Sequence, residues 1–198
     1  MFSESLMELI RCGAVDNSRK GFHPGETVTA FAAGSQELYR FLHENRDILI
    51  KGGYYTNAPA VIAQNRNMVS LNTALEIDLT GQCAAESMGF TQWSATGAQT
   101  ETVEGAQLSP GGKSILALPS CYTARSQTGE KVLRSKIVLS FRPGTIVSTS
   151  RNDVDYVVTE YGTAWLRGLS VDKRAKALIA IAHPSFRDQL TADAKNMD

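Results

Sequence analysis

Hydrophobic and polar positions follow two different periods along this chain, and they divide it into short helices and short strands. MFSESLMELIRCG puts Leu6, Leu9 and Ile10 on one side of a helix, with acids between them. Gly13 and the polar run DNSRKG then make a turn, and HPGE makes a second one. TVTAFAAG (27–34) reads as a short apolar strand ending at Gly34. Ser35 is the expected N-cap of a helix over QELYRFLHENR, whose Leu38, Phe41 and Leu42 share a face. GGYYTNAP reads as a loop, and Pro59 suits the first turn of a short helix, APAVIAQN. MVSLN and ALEID read as two closely spaced strands.

The second half continues in the same way. SILALPS (114–120) reads by composition as a fully buried strand that Pro119 ends, and the polar run YTARSQTGEK predicts an exposed loop. KIVLSF and TIVSTS predict a strand pair around Arg142-Pro143-Gly144, and DYVVTEYG predicts another strand. Ser170 is placed to cap VDKRAKALIAIA, and Pro184 opens a last helix, PSFRDQLTADAK. Strands mixed with helices, without strict βαβ alternation, predict an α/β fold with a mixed sheet flanked by helices. There is no internal repeat and no convincing linker, so residues 1–198 are expected to form one domain.

Composition narrows the class of function. Lys and Arg total 20, as do Asp and Glu, so net charge is zero. That argues against nucleic acid or an anionic membrane as the main partner, since both require a basic surface. Cys12, Cys83 and Cys121 lie far apart, without metal-like spacing, as expected for reduced thiols in a cytoplasmic protein. His23, His43 and His183 are scattered too, so no metal site is expected. No apolar run approaches the ~18 residues of a membrane span. The N-terminus lacks the basic start of a signal peptide.

Candidate chemistry concentrates between Met68 and Glu101. In SATGAQTE, Gly97 lies among Ala95 and Ala98, so side chains hardly shield the backbone N–H groups. Such a loop can approach a phosphate or a developing oxyanion closely, although a tight structural turn looks the same in sequence. In LNTALEID, Glu76 and Asp78 share one face of a strand, where paired carboxylates can divide acid–base work or lie on a solvated face. Asn72 just upstream offers a donor and an acceptor to a ligand amide. Cys121 and Glu160 stand at strand ends, where a half-buried thiol and an ion pair are the simpler readings.

Several separate segments carry a resemblance. YYTNAPAVIAQNRNMVSLNTALEIDLTGQ, SATGAQTETVEGAQLSPGGKSILALPS, RPGTIVSTSRNDVDYVVTEYGTAWLRG and RAKALIAIAHPSFRDQL follow one another in the order and spacing of one family. Across nearly its whole length the chain resembles the acetyl-CoA hydrolase/CoA-transferase family, and within it the 4-hydroxybutyrate and butyrate CoA-transferases. The resemblance implies the C-terminal domain of a CoA-transferase-like (NagB/RpiA-like) fold, with the active site between two similar α/β domains. It also implies coenzyme A or acyl-CoA and small carboxylates as substrates, and no metal.

In the family a glutamate carboxylate attacks the acyl-CoA thioester and then carries CoA as a glutamyl thioester. A GxGGQ-type loop supplies backbone amides near that thioester. Carried over by position, the resemblance points to Asn72, Leu75, Ser94, Gly97, Ala98 and Gln99 as the CoA-binding set. Ala95 and Ala98 stand where the family usually has glycine, and Glu101 where it commonly has Asp. The family nucleophile lies in a segment resembling Gly-Ile-His-Ser-Glu-Met, whose Met aligns with Met1. The glutamate is therefore expected just upstream of Met1, and the chain is expected to be inactive without an N-terminal domain. The alternative is a non-catalytic module that binds CoA or a partner. Self-association through the sheet end carrying the small-residue loop is a further expectation.

Overall fold

The computed structural model describes residues 1–126 and 128–195. Gln127, inside the expected loop, and residues 196–198 lie outside the described residues. The described chain forms two compact units, one of Met1–Met68 with Gly105–Gly112, the other of Val69–Glu104 with 113–195.

The first unit opens with α1 (Glu4–Arg11), β1 (Thr27–Thr29), α2 (Gln36–Leu42), β2 (Ile48–Ile50), α3 (Gly53–Thr56) and α4 (Pro59–Ile62). Met7 of α1, Phe2 and Leu38 of α2 make a small core, with Leu6, Ile10, Phe41 and Leu42 packed against it. Leu9, expected on the same face, instead points outward and is 46% exposed. Ser35 caps α2 as expected, its Oγ accepting the Leu38 N–H at 3.3 Å. The expected strand at 27–34 is shorter than its apolar run: β1 pairs with β2 in parallel over three residues, after which the chain bends. The stretch read as a loop around Tyr54 contains the single turn of α3.

The second unit begins with β3 (Val69–Thr73), β4 (Glu76–Asp78), β5 (Cys83–Ala84), β6 (Ser87–Met88) and β7 (Thr91–Gln92). Next comes α5 (Gln99–Leu108), whose residues 105–108 belong to the first unit. There follow β8 (Lys113–Ala117), β9 (Cys121–Arg125), β10 (Lys131–Ser135), β11 (Ile137–Val138), β12 (Tyr156–Thr159), β13 (Gly162–Trp165), α6 (Val171–Ala180) and α7 (Pro184–Ala194). The main sheet runs β13-β12-β8-β3, parallel except for the β12–β13 hairpin, and a smaller mixed sheet runs β11-β4-β5. This is the expected α/β class, with mixed sheets and flanking helices.

Register gives the main sheet two unlike faces. Asn72, Leu116, Val157 and Ala164 align across it. Leu116, Val157 and Ala164 join Leu178, Ile181 and Leu190 from the α6–α7 region in the main core. The opposite face carries the rows Leu71–Ile115–Tyr156–Trp165 and Thr73–Ala117–Val158–Thr163.

Three expectations need correction. The polar stretch 122–131 is not simply a loop, because β9 and β10 pair across it as an antiparallel hairpin. KIVLSF and TIVSTS do not pair: β11 joins β4 in parallel, and residues 145–150 make only the isolated bridge Cys83↔Thr149. Ile146 and Val147 stay largely exposed, so their β-branched pattern has no sheet to enter. Ser170 occupies the N-cap position of α6 but makes no side-chain cap bond. Pro184 does open α7, where His183 Nδ1 accepts the Ser185 N–H at 3.3 Å.

Candidate functional site

The small-residue loop ends where α5 begins, a helix that the sequence pattern did not announce. The Glu86 carbonyl fixes the loop's start by accepting the Trp93 and Ser94 N–H groups at 2.7 and 3.2 Å. Gln92 also donates its side-chain amide to the Ser94 carbonyl. At the other end the Ala98 carbonyl accepts the Thr102 N–H at 3.0 Å, the first bond of the helix. The first-turn N–H groups of any helix lack intrahelical partners and carry roughly half a positive charge between them.

These groups border a cleft of about 310 Å³ at the carboxyl end of β3. Asn72, Thr73, Ala85, Glu86, residues 94–101 and Ser148 line it. Three anchors hold its walls. Asn72 Nδ2 donates to Ser70 Oγ at 2.9 Å and to Thr102 Oγ1 at 3.1 Å. Thr100 Oγ1 donates to the Ser148 carbonyl at 2.8 Å. Gln99 Nε2 donates to Thr149 Oγ1 at 3.0 Å and to Cys83 Sγ at 3.3 Å. Burial pushes the Cys83 thiol pKa up to about 12, so it stays protonated under the loop.

Among the six residues singled out from sequence, Asn72, Ser94, Gly97, Ala98 and Gln99 line this one cleft, and Leu75 does not. Leu75 is half-buried, its N–H given to the Ala84 carbonyl at 2.8 Å. Gln99 turns its amide inward, so what it presents to the cleft is mainly backbone. A Cβ on Gly97 would meet no heavy atom within 4 Å, so the cleft is open above that backbone. Sequence reasoning missed Glu86 and Ser148, which reach the cleft from the bend between β5 and β6 and from the irregular 145–150 stretch. Glu101 also lines it, with Oε2 buried and without a hydrogen-bond partner.

The carboxylate pair on β4 is arranged differently. Asp78 is buried and accepts from Thr80 N and Oγ1, Gln82 N and Gln82 Nε2, at 2.6–3.0 Å. Those bonds shape the turn between β4 and β5 and leave the side chain committed to structure. Glu76 is buried with Arg142 3.5 Å away. Burial raises its carboxyl above the ordinary range, while Arg142 and Lys136 pull it back down. Glu160 accepts from Ser120 N and Oγ at 2.9 and 2.5 Å, and these bonds lower its carboxyl pKa. Among the described residues no group of three or more His, Cys, Asp or Glu is placed to hold a metal ion. No described helix is long and apolar enough to cross a membrane.

A small-residue loop running into a helix N-terminus at the carboxyl end of a parallel strand defines a class: α/β domains that present backbone donors to an anionic or polarised ligand. Comparison with known proteins makes the class specific. Residues 34–194 match the model of the acetyl-CoA hydrolase/transferase C-terminal domain. The chain belongs to that family.

All 198 residues align at 46% identity with the succinyl-CoA:cyclohexane-1-carboxylate CoA transferase of Geobacter metallireducens, covering 44% of that protein. The 4-hydroxybutyrate coenzyme A transferase of Clostridium kluyveri is 44% identical over 195 residues, covering 98% of this chain and 44% of that one. Among solved structures, RipA from Yersinia pestis superposes with a TM-score of 0.86 at 44% identity, over 99% of this chain and 42% of RipA. A 4-hydroxybutyrate CoA-transferase from Porphyromonas gingivalis gives 0.79 at 39% identity, over 100% of this chain and 44% of that chain. The chain thus spans less than half the length of these relatives.

Proposed function

We propose that this chain is the C-terminal half of an acyl-CoA:carboxylate CoA-transferase of the 4-hydroxybutyrate, butyrate or acetate type, in a NagB/RpiA-like domain spanning residues 1–198. In this reading Asn72, Ser94, Gly97, Ala98 and Gln99 belong to one wall of a CoA-thioester site, and Leu75 stands outside the cleft. The observation that carries it is the cleft whose floor is the backbone of residues 94–101 and the start of α5, in a member of a CoA-transferase family. The open N–H groups there suit the oxygen of a thioester carbonyl as it gains charge.

The nucleophile is a glutamate supplied from outside these 198 residues. Its carboxylate oxygen attacks the thioester carbonyl carbon, and the C–S bond breaks to release CoA thiolate and leave a mixed anhydride. The thiolate then attacks the glutamyl carbonyl, which expels the acyl carboxylate and forms a glutamyl-CoA thioester. A second carboxylate accepts CoA by the reverse sequence, giving ping-pong kinetics. The reaction is placed in the cytoplasm.

The test uses the purified chain with butyryl-CoA and acetate. The chain alone is expected to give no transfer, and mixing it with a chain carrying the N-terminal half of a relative is expected to restore turnover. Turnover by the pure 198-residue protein would overturn this assignment of the nucleophile. Ala95 and Ala98, standing where the family usually has glycine, favour a second reading: a module that binds CoA or a protein partner without catalysis. Mixing that restores no activity while CoA still binds would select that reading.

A further inference from the structure

The main sheet is finished on only one side. Its inner face packs into the core, but the outer row Leu71–Ile115–Tyr156–Trp165 crosses all four strands with both ends exposed and Ile115 and Tyr156 half-buried. Leu71 is 69% exposed, Trp165 57% and Val69 54%. The row beside it, Thr73–Ala117–Val158–Thr163, carries no charge, and Lys113, paired with Val69, sits at the rim. Parallel sheets are found almost only with both faces covered, because the crossovers between their strands lay helices on the faces. The aromatic end of the row is also held ready for contact. Trp165 Nε1 donates to Asp155 Oδ1 at 2.7 Å, and the indole stacks on Tyr156 with centroids 6.1 Å apart and planes 16° from parallel. Two fixed rings lose little rotamer freedom when they are covered.

We propose that this face is the docking surface for the polypeptide that the family's longer members carry outside the matched region, which lays an apolar layer over Leu71, Ile115, Tyr156 and Trp165. The inference rests on the CoA-transferase reading, and length supports the choice of occupant. The chain covers 44% of the Geobacter and Clostridium relatives, so more than half of each lies beyond what this sheet sees. The near absence of charge on the face suits an apolar layer better than a polar ligand or nucleic acid.

The test is a single-chain chimera in which this sequence replaces the matched portion of the Clostridium kluyveri relative, compared with the 198-residue chain by itself. The sequence has two tryptophans, so Trp93→Phe, with every tryptophan of the Clostridium portion also changed to Phe, leaves Trp165 as the sole reporter. In the chimera its emission is expected to shift to the blue, and acrylamide quenching to fall about threefold or more. Leu71→Asp is expected to restore quenching and lower the melting temperature of the chimera, while leaving the isolated chain's melting unchanged. Equal quenching in chimera and isolated chain would overturn the proposal. So would an isolated chain that sediments as a dimer broken by Leu71→Asp, since the face would then join two copies. Transferase activity of the chimera reads the functional assignment separately. An active chimera with Trp165 still open to quencher sinks only the docking surface, and an inactive chimera with Trp165 covered sinks only the functional reading.

Discussion

The β4 carboxylates and the 94–101 loop lie within one short stretch of chain, and both offered chemistry in the sequence, yet the fold treats them oppositely. Asp78 has its acceptor capacity filled by Thr80 and Gln82, and Glu76 is sealed beside Arg142. The loop is pinned at both ends by its neighbours, but its middle is open to the cleft. The carboxylates that could react are thus tied up, and the backbone groups of the loop are left free. What the local structure leaves unsatisfied, more than residue type, marks where a ligand can gain something.

The contrast can be broken most forcefully at Asp78. Asp78→Ala strands the donors of the β4–β5 turn, and by the usual cost of losing buried bonds to a charged group it should destabilise the protein by about 3 kcal/mol. Urea denaturation measures this, and a change near zero would mean that the turn does not depend on the carboxylate. Gly97→Val should do the reverse. Folding should stay within about 0.5 kcal/mol because the site is open, while CoA affinity by calorimetry drops about tenfold, or 1.4 kcal/mol. Equal losses in stability and affinity would place the loop inside the packed structure rather than beside a ligand.

Glu76 gives the smallest and subtlest effect. Burial raises its carboxyl pKa above 4.5, so the folded state holds this proton more tightly than the unfolded chain. Its contribution to stability is therefore fully present below the unfolded pKa and is lost as pH rises through the folded one. Glu76→Gln should thus stabilise the protein relative to the parent at neutral pH, with the gap closing as pH falls through the raised folded value to the ordinary glutamate range. A gap that widened on acidification would show that Arg142, not burial, dominates at this site.

Much of this was legible in sequence where a local rule was strong. Ser35 before an apolar helical face and Pro184 at a helix start each named their element, because capping and proline geometry act within a few residues. The β9–β10 hairpin was not legible, since its residues are polar or half-exposed and leave no apolar alternation. α5 was hidden for another reason. Only Val103, Gly105 and Ala106 are fully buried in the helix interior, too few and too small to show a stripe. Gly105 lies there because Ile62 packs against it, where an added Cβ would come within 2.6 Å of the Ile62 side chain. In the cleft, the loop around Gly97 was legible from its small residues, and the resemblance added Ser94 and Gln99, whereas Glu86 and Ser148 arrive through tertiary pairing that no local pattern encodes.

The cleft walls come from four stretches of chain, around residues 72, 85, 94–101 and 148. The pairing of β3 with β8, which joins Val69 to Lys113 across the intervening β4–β7 and α5, brings these stretches together. Such non-local pairing is slow to form, and until it forms the chain has no cleft to offer. A ligand of this site accordingly recognises the finished fold alone and draws the folding equilibrium toward it by mass action. At a hundred times its dissociation constant it would add roughly 2.7 kcal/mol. The abundance of the intact protein would then follow the supply of the molecule it handles.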